Sequence, residues 1–113
     1  MIAGEIYLAH FPFGGSAGMK LRPVLLLTGP VGPVPEVLVA YISSVMPSTL
    51  LPSDLIVDPT HPDFASAKLK ACSVVRLHKL ATIHQRSLMR YLGWLEAGPM
   101  TGVGARLRTL LNL

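Results

Sequence analysis

One cysteine, one tryptophan and six acidic residues in 113 positions leave whole classes of chemistry without their reagents. Cys72 stands alone, so no internal disulfide and no cysteine metal site can form. Placed between Ala71 and Val74, it reads as a small buried thiol rather than a nucleophile. Charged residues make up only 14% of the chain against 50% hydrophobic ones, which excludes a disordered polypeptide. Long apolar runs are missing as well. The longest stretch, "PVLLLTGPVGPVP", is broken by proline and glycine and falls short of the roughly 20 residues a membrane span needs. The N-terminal "MIAGEIYLAHF" lacks the basic region, apolar core and small-residue cleavage site of a secretory leader, so a cytoplasmic protein is expected. There is no phosphate-binding Walker loop, no dinucleotide glycine fingerprint and no Gly-x-Ser-x-Gly elbow.

What the chain does have is punctuation. Ten prolines and ten glycines imply many turns between short strands, in a single domain covering residues 1–113. Ten Lys and Arg against six Asp and Glu give a net charge of +4, which favours a polyanionic partner such as nucleic acid. Strands are expected at 4–11, 22–29, 36–44, 54–58 and 73–80, with a flexible glycine- and serine-bearing loop in "PFGGSAGMK". After these the period changes. Thr82 and Gln85 form a capping box, Ile83, Leu88, Met89 and Leu92 follow at helical spacing, and Gly93 is placed to stop a helix. "GWL" supplies a last short strand, and Val103, Leu107, Leu110 and Leu111 mark an amphipathic helix from Thr101. So small a monomer buries only about two-thirds of its unfolded surface, and the apolar surplus points to a homodimer.

Four constellations could do chemistry. "DLIVDPTHPDF" carries Asp54, Asp58, His61 and Asp63, which could ligate a divalent ion but read better as turn residues, and no metal is expected. Arg22 begins an apolar strand and precedes Pro23, whose ring fixes the local backbone; its guanidinium fork suits a phosphate. Ser43 and Ser44 end the third strand, either satisfying backbone groups at a turn or donating to a phosphoryl oxygen. In "CSVVRLHKLATI", strand alternation puts Arg76 and His78 on one face, two residues apart. Imidazole exchanges protons near neutral pH, and an adjacent guanidinium could hold an anion beside it. Arg22, Ser43, Arg76 and His78, with no metal and no cofactor, form the set needed to cleave RNA through its own 2′-hydroxyl. Lys20, Ser44, Lys68, Lys70 and Lys79 would attract the RNA backbone around them.

An ordered series, "GEIYLAHFPF", "LRPVLLLTG", "VLVAYISS", "SDLIVD", "SVVRLHKLATI" and "LGWL", resembles the MazF/PemK family of toxins from type II toxin–antitoxin systems over residues 4–95. The resemblance implies a mainly β (α+β) fold, a small bent barrel of Src-homology-3-like (CcdB–PemK) type with short helices and a C-terminal helix. It implies a homodimeric, metal-independent endoribonuclease acting on single-stranded RNA. Its products would carry a 2′,3′-cyclic phosphate and a 5′-hydroxyl. It also implies a cognate antitoxin protein whose tail occupies the RNA groove and whose complex with the toxin binds its own promoter DNA, with no role for a membrane. Arg22 takes the place of the family's catalytic Arg-Pro arginine, Ser43 that of an active threonine, and Arg76 that of the Val-Val-Arg arginine. His78 stands where some members carry an acidic residue, and Lys68 where many carry glycine. Two alternatives need less chemistry. One is a barrel that binds nucleic acid or antitoxin without cutting; the other is a gyrase-inhibiting toxin of the CcdB kind, for which the apolar tail "RLRTLLNL" is the relevant feature.

Overall fold

The computed structural model describes residues 1–12 and 19–113; the glycine-rich part of the expected loop, 13–18, lies outside the described residues. Six strands form one antiparallel sheet: β1 (Glu5–Pro12), β2 (Met19–Leu26), β3 (Glu36–Ser43), β4 (Asp54–Val57), β5 (Ser73–His84) and β6 (Leu88–Trp94). Their spatial order is β4-β5-β3-β2-β1-β6. A helix, α1 (Ala97–Leu111), follows β6, and a short 3-10 helix at Pro62–Ala67 bridges β4 and β5. The mainly β class matches the sequence reading, but the expected barrel is not closed: the edge strands β4 and β6 are not paired with each other.

Each face of the sheet has its own core. Ile6, Leu25, Ala40, Ile42, Val75 and Leu77 form the first, covered by Met100, Val103 and Leu107 of α1 and by Phe64 and Ala67 of the 3-10 helix. Ala9, Phe11, Val24, Leu26, Val37, Val39 and Ile83 form the second, on the opposite face. Each fully buried Leu, Ile or Val side chain contributes about 1.5–3 kcal/mol, so these two clusters hold the fold together. The helix begins at Ala97 rather than Thr101; Pro99 is tolerated in its first turn, and packing of Val103 outweighs the cost of Gly98, Gly102 and Gly104.

The region 82–93 corrects the helix expected there. β5 continues to His84, a three-residue 3-10 turn follows at Gln85–Ser87, and Leu88–Trp94 is a strand. The spacing of Leu88, Met89 and Leu92 is compatible with either period, and the open edge of β1 decides the matter. β6 satisfies that edge, with Tyr7 opposite Tyr91 and Leu8 opposite Arg90. The helix start is replaced by a side-chain cap, His84 Nδ1 accepting from the Arg86 N–H at 3.0 Å. Gly93 stops nothing. A Cβ there would strike the Ser66 carbonyl oxygen and lie within 2.6 Å of the Ala67 carbonyl oxygen, so glycine is what lets β6 pass the 3-10 helix.

Cys72 is exposed, not buried as its small neighbours suggested, because it lies in the turn that leads into β5 rather than in the strand itself.

Candidate functional site

The β2–β3 ladder ends at Val24 opposite Tyr41. Pro23, the next residue back, has no N–H to donate, and the two strands part there. Continued by one step on the same face, the register would set Arg22 opposite Ser43. Instead of a continued ladder, a cavity of about 290 Å³ opens between them, with Leu21, Arg22 and Pro23 on one wall and Tyr41 to Val45 on the other. The Arg-Pro dipeptide thus supplies the cation and removes the ladder that would have closed the gap.

Ser43 behaves as the bland reading of its sequence anticipates and still faces this cavity. Its Oγ accepts from the Val45 N–H and donates to the Val45 carbonyl oxygen, both at 3.1 Å. Such a hydroxyl is oriented, and its proton can switch from the carbonyl to an incoming phosphoryl oxygen. The Arg22 Nη1 donates to the Leu21 carbonyl at 3.1 Å, which leaves the other guanidinium donors for a ligand.

Arg76 shares the same sheet face. Residues in register lie on one side of a sheet, and Val24, Tyr41, Arg76 and Asp54 form one row across four strands. Arg76 is therefore one strand from the Ser43 wall. Its guanidinium is held from the far side: Nε donates to Asp54 Oδ1 at 3.0 Å and Nη2 to Asp54 Oδ2 at 3.3 Å.

His78 follows Arg76 in the alternation, with Val75 and Leu77 buried between and beside them, but it stands where the β3 ladder is interrupted. Tyr41 pairs with Arg76, but the next β3 residue, Ala40, pairs with Leu80, so Leu77, His78 and Lys79 are surplus to the ladder. A bulge leaves its residues without a ladder partner and bends the strand that carries it. Leu77 goes into the core while His78 is exposed. Lys79 turns back, with Nζ 5.7 Å from the centre of the Tyr41 ring. Neither His78 nor Lys79 lines this cavity.

Of the residues expected to attract RNA, Lys20 is exposed two positions before Arg22 on the same face, opposite Phe11. Lys68 and Lys70 border a second cavity of about 380 Å³ that shares Pro23, Ser44 and Ser73 with the first. Lys68 adopts left-handed backbone, φ 57°, at the end of the 3-10 helix. For a residue with a Cβ this costs roughly 1 kcal/mol relative to glycine.

Sequence reasoning missed two residues here. Tyr41 lines the first cavity, and its position two before Ser43 on one strand could have revealed it. Arg90 borders the second, but nothing local marks it, since its place depends on β6 pairing with β1. The acidic candidates for a metal site are otherwise engaged. Asp54 is tied to Arg76, Asp58 accepts from the Thr60 N–H and Oγ1–H, and His61 caps the 3-10 helix by accepting from the Asp63 N–H. Among the described residues, no group of three or more His, Cys, Asp or Glu is placed to hold a metal ion.

A small, antiparallel, open sheet with a basic cleft where two central strands part defines the class of protein. Over residues 2–111 the chain matches the model of the PemK-like, MazF-like toxins of type II toxin–antitoxin systems, and it belongs to that family. Among solved structures it is similar to the Mycobacterium tuberculosis toxin MazF-mt6, with a TM-score of 0.74, 27% identity, and coverage of 96% of this chain and 97% of that one. It shares its fold with an endoribonuclease from a mycobacterial species in complex with its cognate antitoxin (TM-score 0.69, 18% identity, coverage 100% and 96%). The same holds for the MazE-MazF structure from Deinococcus radiodurans (TM-score 0.66, 17% identity, coverage 99% and 95%). None of the curated proteins compared with the chain matches it.

Proposed function

We propose that this protein is an endoribonuclease toxin that cleaves single-stranded RNA without a metal ion and is inhibited by a cognate antitoxin. The observation that carries the reading is the meeting of Arg22 and Ser43 across the cleft that Pro23 opens, in a chain of the MazF-like family. In this reading the scissile phosphate lies between the Arg22 guanidinium and the Ser43 hydroxyl, and the RNA 2′-hydroxyl attacks in line. A bidentate guanidinium and an oriented hydroxyl stabilise the extra negative charge of the phosphorane, and such donors are each worth about 100- to 1,000-fold in rate. As the P–O2′ bond forms the P–O5′ bond breaks; water takes the 2′ proton and supplies one to the departing oxygen, which leaves a 2′,3′-cyclic phosphate and a 5′-hydroxyl. Arg76 adds positive potential from the neighbouring strand, while His78 and Lys79 contact RNA beyond the cleft rather than exchanging protons at the cut.

The protein acts as a homodimer in the cytoplasm, and the antitoxin competes with RNA for the basic cleft; its complex with the toxin binds the promoter DNA. Among the described residues, no helix is long and apolar enough to cross a membrane. The test is incubation of the purified protein with a long single-stranded RNA in excess EDTA, with analysis of fragment ends. Discrete cuts with 5′-hydroxyl ends are expected. Intact RNA from folded, partner-free protein would replace this reading with that of a barrel-like binding module.

A further inference from the structure

The second cavity is built differently from the first. Its floor is apolar, formed by Leu8, Pro23, Leu69 and Leu92, and its rim carries Lys68, Lys70 and Arg90. Among the described residues, none of these three cations lies within ion-pair distance of a carboxylate. At about 380 Å³ it falls within the size range of small-ligand sites, roughly 300–1,000 Å³, and has room for one nucleotide. It shares Pro23, Ser44 and Ser73 with the Arg22–Ser43 cleft, so the two adjoin around the point where β2 and β3 part, with Leu8, Pro23 and Arg90 in register on the face opposite Arg22.

Lys68 supplies a second, independent observation. A left-handed backbone is a glycine position, yet the chain places a lysine there, at the mouth of this cavity. A conformation that disfavours any side chain is kept together with a cationic one. Arg90 is likewise an exposed charge on an edge strand, set opposite Leu8 of the floor.

We infer that this cavity is a nucleotide subsite of the RNA, adjacent to the one that holds the scissile phosphate. The base rests on the apolar floor with the Arg90 guanidinium against its face, and Lys68 and Lys70 hold the flanking phosphate. The occupant is an RNA nucleotide and not a peptide: three cations beside an apolar lining complement a phosphate joined to an aromatic ring. The inference rests on the nuclease reading above.

The test uses a 2′-O-methyl single-stranded oligonucleotide, which cannot be cut, as the binding probe, and an unmodified RNA of the same sequence for cleavage. Lys70→Ala and Arg90→Ala should each weaken binding about three- to tenfold. Lys68→Gly should do the same while the protein melts no lower than wild type, because glycine suits that backbone. Each lysine removed should lower the slope of log affinity against log salt by about 0.7. For cleavage, KM should rise while kcat stays within about twofold. A triple variant that binds the probe with wild-type affinity and salt slope, and still cuts RNA, would overturn the subsite and leave the nuclease reading intact. Unchanged probe binding with weakened capture of an acidic peptide would assign the cavity to a protein partner and also overturn it. If wild type neither binds nor cuts, the subsite falls with the reading on which it depends.

Discussion

Asp54 and Arg76 face each other across the β4–β5 ladder, and the Asp54 side chain, at 0% exposure, is wholly enclosed while Arg76 retains 17%. The carboxylate accepts from Arg76 and from the Leu51 N–H at 2.8 Å, and the Asp54 carbonyl oxygen accepts from Arg106 of α1 at 3.1 Å. One residue therefore joins a cation on the cleft face, the loop before β4 and the C-terminal helix.

Removing one partner of such a pair strands the other in the interior. Arg76→Ala should destabilise the fold by about 3–5 kcal/mol, because Asp54 is left buried and uncompensated. Urea unfolding checks this, and a loss below about 1 kcal/mol would show that the carboxylate finds water or another donor. Cleavage by this variant should be assayed well below its melting temperature, so that unfolding is not mistaken for lost chemistry.

Gly93→Ala tests the correction made to the helix reading. A methyl group there meets two carbonyl oxygens of the 3-10 helix, which are backbone atoms and cannot rotate away. The expected loss is about 3 kcal/mol, the upper end of the usual cost of overpacking, visible as a drop in melting temperature. A helix ending at this residue would have given a loss of only about 1 kcal/mol, the cost of a Cβ in left-handed backbone.

The cleft separates charge from geometry. Arg22→Ala should lower cleavage by at least about 100-fold, and Arg22→Lys should restore little, since an ammonium lacks the planar fork. Ser43→Ala should be similarly impaired, whereas Ser43→Thr, which keeps the hydroxyl, should remain within about fivefold of wild type. His78→Ala should stay within about threefold, because its imidazole stands on a bulge outside both cavities. A hundredfold loss in that variant would restore it to a proton-transfer role.

Acid stability carries one specific signature. The Thr60 N–H, then the Thr60 hydroxyl, hold the Asp58 carboxyl below its ordinary value. Its contribution to stability is thus present above the unfolded carboxylate range and is lost as pH falls through the native value. Wild type and Asp58→Asn should differ in urea midpoint at neutral pH and converge in acid, once pH has fallen through the lowered native value. A difference that persists in acid would mean that the turn is held by something other than this charge.

Five strands and the C-terminal helix could be read directly, because prolines and glycines bracket short β-rich runs and Val103 and Leu107 recur on one helical face. That Arg22 and Ser43 line one cavity could be anticipated in part, since Arg22 precedes a proline that breaks the β2–β3 ladder and Ser43 ends β3. What failed was whatever depended on a distant neighbour. β6 needed the open edge of β1, and Arg90 became visible only once that pairing existed. The surplus of three residues after Arg76 is fixed by pairing with β3, so the bulge that carries His78 could not be read from its own segment. Cys72 was misread for a similar reason, as burial is decided by the turn that carries it and not by the size of its neighbours.

The gap between β2 and β3 is maintained by an atom that is missing, the amide hydrogen of Pro23, and not by the bulk of any side chain. Its width is therefore written into covalent structure. Core substitutions that loosen packing elsewhere would soften the protein without shutting the gap, while exchange of Pro23 for an ordinary residue would offer β3 a new donor and invite the two strands to zip together. A working surface secured in this way can tolerate wide drift in the residues around it, provided one imino acid stays in place.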